Sequence, residues 1–498
     1  MTSSQTPRSP WLAAAVLAGL LGGCAVPSAP RSVSAPVAPQ WLAARPQADT
    51  AVDTTADASL PHHGRLADLS QWWLQQGDPV LVELIAAAQA VSPTVASARS
   101  RIEQARATLV GAGADMLPSL NASASASRGA SQLGTSPSAP VATTLQAGLQ
   151  AAWEIDVFGG RLASRRAAAE RFDGAQAQWH DARVSVAAEV ANQYFSLRSC
   201  RELDTVTRAD TASRAETARL ALLSMRAGFT APATEALARA SAAEARARAT
   251  QQAAQCELDT KALVALTGLA EPDLKQKVAT AQAIPAPLAI NMIATVPADA
   301  LQQRPDVFNA AREVAAASDE LGSAQAERYP HLSLSGSIGK TRIRSSSFAA
   351  TLETWSVGPL TLSLPLFDAG RRAANVDAAY ARYEEAAALY RARVRQAVRE
   401  VEEALVNLQS TAGRSGDTQA AVDGYRASFT GTEARYQAGL ASLVELEDAR
   451  RALLAAQTNA VSLQREQRAA AVALYRAMGG GWTPQWDAAG GAARASAR

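Results

Sequence analysis

The chain has 498 residues, of which 48% are hydrophobic but only 5% aromatic, and its formal net charge is +2. So little aromatic volume excludes one thick globular core and suits long, closely packed, alanine-rich helices. A charge this near zero gives no reason to expect nucleic acid or a strongly acidic partner.

The amino terminus reads as a processing signal. Arg8 supplies a positive start, and Trp11 to Leu21 is an apolar run too short to span a bilayer in a mature protein. The run ends in Leu21-Gly22-Gly23-Cys24, which resembles a bacterial lipobox. That pattern predicts a signal peptide over residues 1–23 and acylation of Cys24, a palmitate-type lipid anchor on the first mature residue. Ala25 follows rather than Asp, which in lipoprotein sorting points to the outer membrane. Residues 24–65 are rich in Pro, Ala and Ser and read as a lipid-anchored, extended linker. No later segment has the length and apolarity of a transmembrane helix. A mature chain that crosses a membrane must then do so as a closed β-barrel.

Beyond the linker the chain is written twice, at an offset of about 210 residues. Ser92-Pro93-Thr94-Val95 matches Arg304-Pro305-Asp306-Val307, and Met116-Leu117-Pro118-Ser119-Leu120 matches Arg328-Tyr329-Pro330-His331-Leu332. Phe158-Gly159-Gly160-Arg161 resembles Phe367-Asp368-Ala369-Gly370-Arg371, and Ala227-Gly228-Phe229 matches Ala438-Gly439-Leu440. The first repeat is assigned to residues 66–290 and the second to 291–482, with a disordered tail over 483–498. Each repeat reads helix, strand, strand, long helix, turn, long helix.

The strands alternate with period two. Ala and Ser alternate from Leu120 to Ser127. Leu145, Ala147, Leu149, Ala151, Trp153 and Ile155 share a face in the second strand. Leu332, Leu334, Gly336 and Ile338 do so in the third, and Leu360, Leu362, Leu364 and Leu366 in the fourth. Apolar outside and small or polar inside is the pattern of a lipid-facing barrel strand, with Trp153 and Trp355 as girdle residues. Four strands cannot close a water-filled barrel, for which about eight is the practical minimum. A homotrimer, giving twelve strands, is the simplest closure.

The long helices carry a coiled-coil seam. From Arg371 to Leu408 apolar residues recur at Val376, Tyr380, Tyr383, Ala387, Tyr390, Val394, Ala397, Val401, Leu405 and Leu408, in steps of mostly three and four. Leu446, Leu453, Ala460 and Leu474 keep a seven-residue spacing, interrupted by Gln467. A helix of about seventy residues is roughly 100 Å long at about 1.5 Å per residue. The fold class is therefore α+β and internally duplicated, with four strands per chain and long antiparallel helical hairpins.

Cys200 and Cys256 both lie 28 residues from Gly228, on opposite sides. In an antiparallel hairpin turning at Gly228 they sit at equal height, so in an oxidising compartment a disulfide is expected. No catalytic, metal or cofactor site stands out. His62, His63, His180 and His331 fall in no ligand cluster. Gly479 to Gly481 lacks the Lys-Ser/Thr of a phosphate loop, and nothing points to an enzyme.

Together the lipobox, Trp72-Trp73 with Gly77-Asp78-Pro79, Trp153-Glu154-Ile155-Asp156-Val157-Phe158-Gly159, Arg304-Pro305-Asp306-Val307 and Gly479-Gly480-Gly481-Trp482 resemble the TolC-type outer-membrane efflux proteins. The likeness is to the lipoprotein branch serving pumps of the resistance-nodulation-division class. It implies a homotrimeric duct, with a twelve-stranded barrel in the outer membrane lipid and a helical coiled-coil barrel in the periplasm. A periplasmic adaptor and an inner-membrane pump dock at the helical tips, and drugs or other small solutes pass out passively. It implies that Gly228, Phe229, Gly439 and Leu440 form the tips and meet the adaptor. It further implies that Glu445 and Asp448 ring the periplasmic entrance, where threefold symmetry would multiply each carboxylate. Arg226 and Tyr436, beside the turns, are candidate latch residues. The chain departs from the family at the first hairpin, where Thr234, with Glu235 beside it and Pro232 in the turn, stands in place of an Asp. Other classes stay open. The duct could serve type I protein secretion or metal export, since the pump chooses the cargo. A periplasmic tether lipoprotein would leave four alternating strands idle. A surface receptor would rely on loops over residues 129–142 and 342–348.

Overall fold

The computed structural model describes residues 28–37, 41–43, 72–75, 77–130, 141–281, 301, 303–345 and 348–482. The signal peptide, Cys24, most of the linker, the junction of the two repeats and the tail over 483–498 lie outside the described residues.

A short helix α1 (Trp72–Gln75) leads into α2 (Pro79–Val91) and α3 (Pro93–Ala114). Strands β1 (Ser119–Ala130) and β2 (Val141–Ile155) follow, then the long hairpin of α4 (Gly160–Arg226) and α5 (Pro232–Thr267). Helix α6 (Glu271–Thr280) ends the first round. The second repeats the order: α7 (Pro305–Ala326), β3 (His331–Ser345), β4 (Ala349–Ser363), α8 (Arg371–Gln437) and α9 (Leu443–Ala477). Helices α4 and α8 have 67 residues each, so the duplication extends to their lengths. Among the described residues no single helix is long and apolar enough to cross a membrane.

Two compact units divide the chain, and each takes pieces from both repeats. Of the described residues, the first holds those up to 34, those within 101–175 and those within 309–391. Its centre is one antiparallel sheet in the order β1-β2-β3-β4. The register aligns the apolar residues across the strands. Ile155 faces Leu332, which faces Leu362; Trp153 faces Leu334, which faces Leu360; Leu149 faces Ile338, which faces Trp355. Leu120 and Ala122 continue that face into β1. Asn121, Ser123, Gln150, Ser333 and Ser337 fall on the other face, as period-two alternation dictates.

The fourth strand differs from the sequence reading. It begins at Ala349, while Leu364 and Leu366 lie beyond its end. Its alternation also changes parity, since Trp355 and Val357 are odd and Leu360 and Leu362 even. A bulge reconciles them, because Leu334 pairs with Leu360 while Gly336 pairs with Val357. Gly358-Pro359 therefore opposes Ser335 alone. Proline cannot donate to a ladder, and a bulge is where a strand tolerates it. Arg342 to Ser345, read from sequence as loop, belong to β3. Residues 28–34 pack onto this unit without regular structure. Arg31 pairs with Glu170 at 2.7 Å and Asp319 at 2.9 Å, and Ala29 and Val33 lie against Val314, Ala317 and Tyr383.

Of the described residues, the second unit holds those within 35–100, those within 176–308 and those from 392 onward. The motifs scattered through the sequence meet here. Trp72 stacks on Tyr475 with ring centres 4.8 Å apart. The Asp78 carboxylate caps α2, accepting from the Val80 and Leu81 amides, and also accepts the Tyr194 hydroxyl at 2.7 Å. Arg304 donates to the Ala477 carbonyl at the end of α9 at 2.9 Å and pairs with Asp306 and Glu400. The seam of α8 is buried at Val394, Ala397, Val401, Leu405 and Leu408.

Candidate functional site at the hairpin tips

Both long hairpins turn by the same backbone device. After α4 the Phe229 amide donates to the Ser224 carbonyl at 2.9 Å and the Gly228 amide to Met225 at 3.0 Å. After α8 the Leu440 amide donates to Arg435 at 2.8 Å and the Gly439 amide to Tyr436 at 3.0 Å. This nested pair is the Schellman motif, which satisfies the last carbonyls of a helix and requires a left-handed residue. Gly228 has φ 80° and Gly439 φ 74°, which an L side chain resists. The residue after the glycine in this motif usually folds back on its own helix. Here it does not: Phe229 is 86% and Leu440 70% exposed. Pro232 then sits at the start of α5, where its missing N–H costs nothing.

Behind the tips, α9 shows why its acids differ. Leu443, Leu446, Glu447 and Arg450 occupy i, i+3, i+4 and i+7, the stripe a helix turns towards its neighbours. All four are buried. Glu445 and Asp448 fall off the stripe and are exposed. Ser442 caps α9: its hydroxyl accepts the Glu445 amide at 3.2 Å and donates to the Glu445 carboxylate at 3.3 Å. It also stands 3.8 Å from Arg435, and Asp448 pairs with Arg451 at 2.9 Å.

Tyr436 is half-buried against the cluster of Ala221, Ala238, Leu443 and Leu446, and Arg226 is exposed at the last turn of α4. The structure thus brings Tyr436 into the packing that joins the hairpins. Thr234 donates its backbone N–H to Ala231 at 3.0 Å, and the buried Glu235 lies 3.9 Å from Arg239.

The residues that the sequence reading missed are the buried charges. Glu447 pairs with Arg214 of α4 and with Arg450, the latter at 2.9 Å, and accepts from Ser241 of α5 at 2.7 Å. Arg450 reaches back to Ser213 at 2.9 Å and Thr217 at 2.8 Å. Asp210 completes the set on Arg214 at 2.9 Å. A charge on an apolar stripe was the available signal. Further from the tip Cys200 and Cys256 are bonded, with sulfurs 2.11 Å and Cα atoms 5.5 Å apart. Among the described residues no group of acids, histidines and cysteines could hold a metal.

The model of the outer membrane efflux protein family matches residues 84–269 and 296–480, one stretch for each repeat. The chain is 30% identical to a pyoverdine export outer membrane protein, OpmQ, of Pseudomonas aeruginosa, covering 93% of this chain and 95% of that protein. It is 28% identical to a toluene efflux pump outer membrane protein, TtgI, of Pseudomonas putida, covering 93% and 97%. Among solved structures, the outer-membrane channel OprN superposes with a TM-score of 0.76 at 28% identity, covering 90% of this chain and 99% of that one. The outer membrane protein VceC of Vibrio cholerae gives 0.71 at 27%, covering 82% and 98%. Twin hairpins, an internally duplicated four-stranded sheet and these likenesses agree: the chain belongs to the outer membrane efflux protein family, and it is an outer-membrane exit channel of an efflux system.

Proposed function

We propose that three copies of this chain close a twelve-stranded barrel and a helical duct through which an inner-membrane pump and a periplasmic adaptor expel small solutes. One observation carries the trimer. The sheet is open at both edges, and Leu120, Ile338, Trp355, Val357, Leu360 and Leu362 on its apolar face are all exposed in the single chain. Long open edges and an apolar face must find partners, and in a bilayer only closure satisfies every backbone group. The curated relatives are named for pyoverdine and toluene, which supports a small-molecule cargo and leaves the choice of cargo to the pump.

The exposed Phe229 and Leu440 support docking of the adaptor at the tips. Rings of Glu445 and Asp448, repeated by the threefold axis, would favour cations at the entrance. The Cys200–Cys256 bridge staples the first hairpin. Cys24 carries the lipid anchor. No bound cofactor is needed for passive passage, and the pump supplies the energy. The mass of the purified protein in lipid nanodiscs tests the assembly: three chains per particle are expected, and a monodisperse monomer with folded strands would overturn it.

A further inference from the structure

The apolar face of the sheet does not stay apolar to its end. The rows through Ile155, Trp153 and Leu149 carry only apolar residues or glycine, and the row of Ile338 and Trp355 is the last of them. One row further, about 7 Å along the strand, stands Lys340. Arg342 and Arg344 follow at the next two rows on the same face, and all three are exposed. Arg128 of β1 joins the row of Arg344, because both pair with Thr143 of β2. Four cations thus cap one face at the hairpin end, opposite the end where the helices join.

These charges lack acids. Among residues 119–153 and 332–363 the sequence holds one carboxylate, Glu353, and it is taken by Lys340 at 2.7 Å. The connecting segments 131–140 and 346–348 contain none. The opposite face carries no charge over the same rows: Ser127, Thr144, Gln146, Thr341, Ile343 and Thr354. A channel that used cations to select solutes would place them on the polar face. Here they lie on the face that carries Leu, Ile, Val and Trp in its other rows. A lipid-facing cation is costly at mid-bilayer but costs little at the interface, and tryptophan marks that interface. Leu145 lies directly beside Arg342, with Ala126 beyond it and Thr351 on the other side, and these short or apolar neighbours let its stem lie along the sheet with the guanidinium beyond.

We propose that Arg128, Arg342 and Arg344 form a rim that binds the phosphate groups of anionic lipid in the leaflet at the hairpin end, arginine forks meeting phosphate oxygens. The inference rests on the barrel reading and goes beyond it, since a duct needs no particular lipid. The occupant follows from charge complementarity: three guanidinium groups per chain with no acid partner among the described residues, at headgroup depth, call for a doubly phosphorylated, acylated headgroup.

The test uses the full-length trimer in detergent, its mass checked first, so that failure of the barrel reading shows before any lipid is added. Phosphorylated lipid A, its dephosphorylated form and inorganic phosphate are titrated separately. Wild type should bind the phosphorylated lipid at least tenfold more tightly than the dephosphorylated one. The triple variant Arg128→Gln, Arg342→Gln, Arg344→Gln should lose that preference, while the Lys triple variant keeps most of it. Equal binding of both lipids by wild type would sink the proposal, and this comparison stands even if the Gln variant does not fold. Displacement by millimolar inorganic phosphate would reassign the rim to soluble anions. A Gln variant that keeps lipid binding but changes ion selectivity in a bilayer would place the arginines in the lumen and also overturn it.

Discussion

Arg214 of α4 and Glu447 of α9 form an ion pair with only 5% and 6% of their side chains exposed, and it ties one helical hairpin to the other. Breaking a buried pair on one side leaves the remaining charge unpaired, which costs about 3–5 kcal/mol. Glu447→Ala leaves Arg214 with Asp210 at 2.9 Å and Arg450 with Glu433 at 3.7 Å, so its thermal unfolding in detergent should show a loss smaller than that full penalty. Arg214→Ala combined with Glu447→Ala should cost less than the sum of the single changes, because they share one interaction. Additive losses would mean that the pair is not coupled.

The bridge between Cys200 and Cys256 closes a loop whose ends are 56 residues apart in sequence. Removing such a crosslink should lower stability by about 2–4 kcal/mol through the freed unfolded chain. Cys200→Ser with Cys256→Ser should therefore unfold earlier than wild type without reductant, and match it once wild type is reduced. Non-reducing peptide mapping that recovers both thiols free would refute the bridge.

The two turns make a paired prediction. Gly228→Ala and Gly439→Ala each force a side chain into a left-handed conformation, costing about 1 kcal/mol. Nothing lies within 4 Å of either added Cβ, so the loss should stay that small. Phe229→Asp and Leu440→Asp should leave unfolding unchanged and abolish export in cells. Normal export by the Asp double variant would remove the tips from the docking surface.

Two acids in the second unit respond to pH with opposite sign. Burial pushes Asp306 up, but hydrogen bonds and charge from Arg304 outweigh it and hold its carboxyl below the ordinary value. That contribution is present above the unfolded value of about 3.9 and is lost as pH falls through the lower folded value. Asp181 is raised, first by burial and then by the like charge of Asp306. Its ionised form costs stability above its folded pKa, and the cost fades as pH falls towards about 3.9. Asp181→Asn should therefore raise the unfolding temperature at pH 7 and give little gain near pH 4. Asp306→Asn should lower it at pH 7 and flatten the acid limb. A pH-independent gain from Asp181→Asn would contradict the assignment.

The repeat and the alternation make the architecture readable in the sequence. Gly228 and Gly439 were legible because a left-handed turn needs glycine, and Cys200 with Cys256 because they are equidistant from one turn. The bulge at Gly358-Pro359 was also written in the chain, as a Gly-Pro step where apolar parity flips, but the parity of Leu360 to Leu366 alone hid it. Glu447 and Arg450 escaped because acids and arginines on a helix are usually solvated. Only their place on the stripe of Leu443 and Leu446 separates them from Glu445 and Asp448. Arg128, Arg342 and Arg344 could not be grouped without register, since they lie on two strands paired through a third.

The proposed duct has an entrance lined by Glu445 and Asp448. Single-channel conductance of the purified trimer in a planar bilayer, wild type against Glu445→Ala with Asp448→Ala, tests it most directly. A small, cation-preferring conductance that rises or loses its preference in the variant is the expected result. A folded wild-type trimer whose conductance and selectivity the two substitutions leave untouched would contradict the acidic entrance.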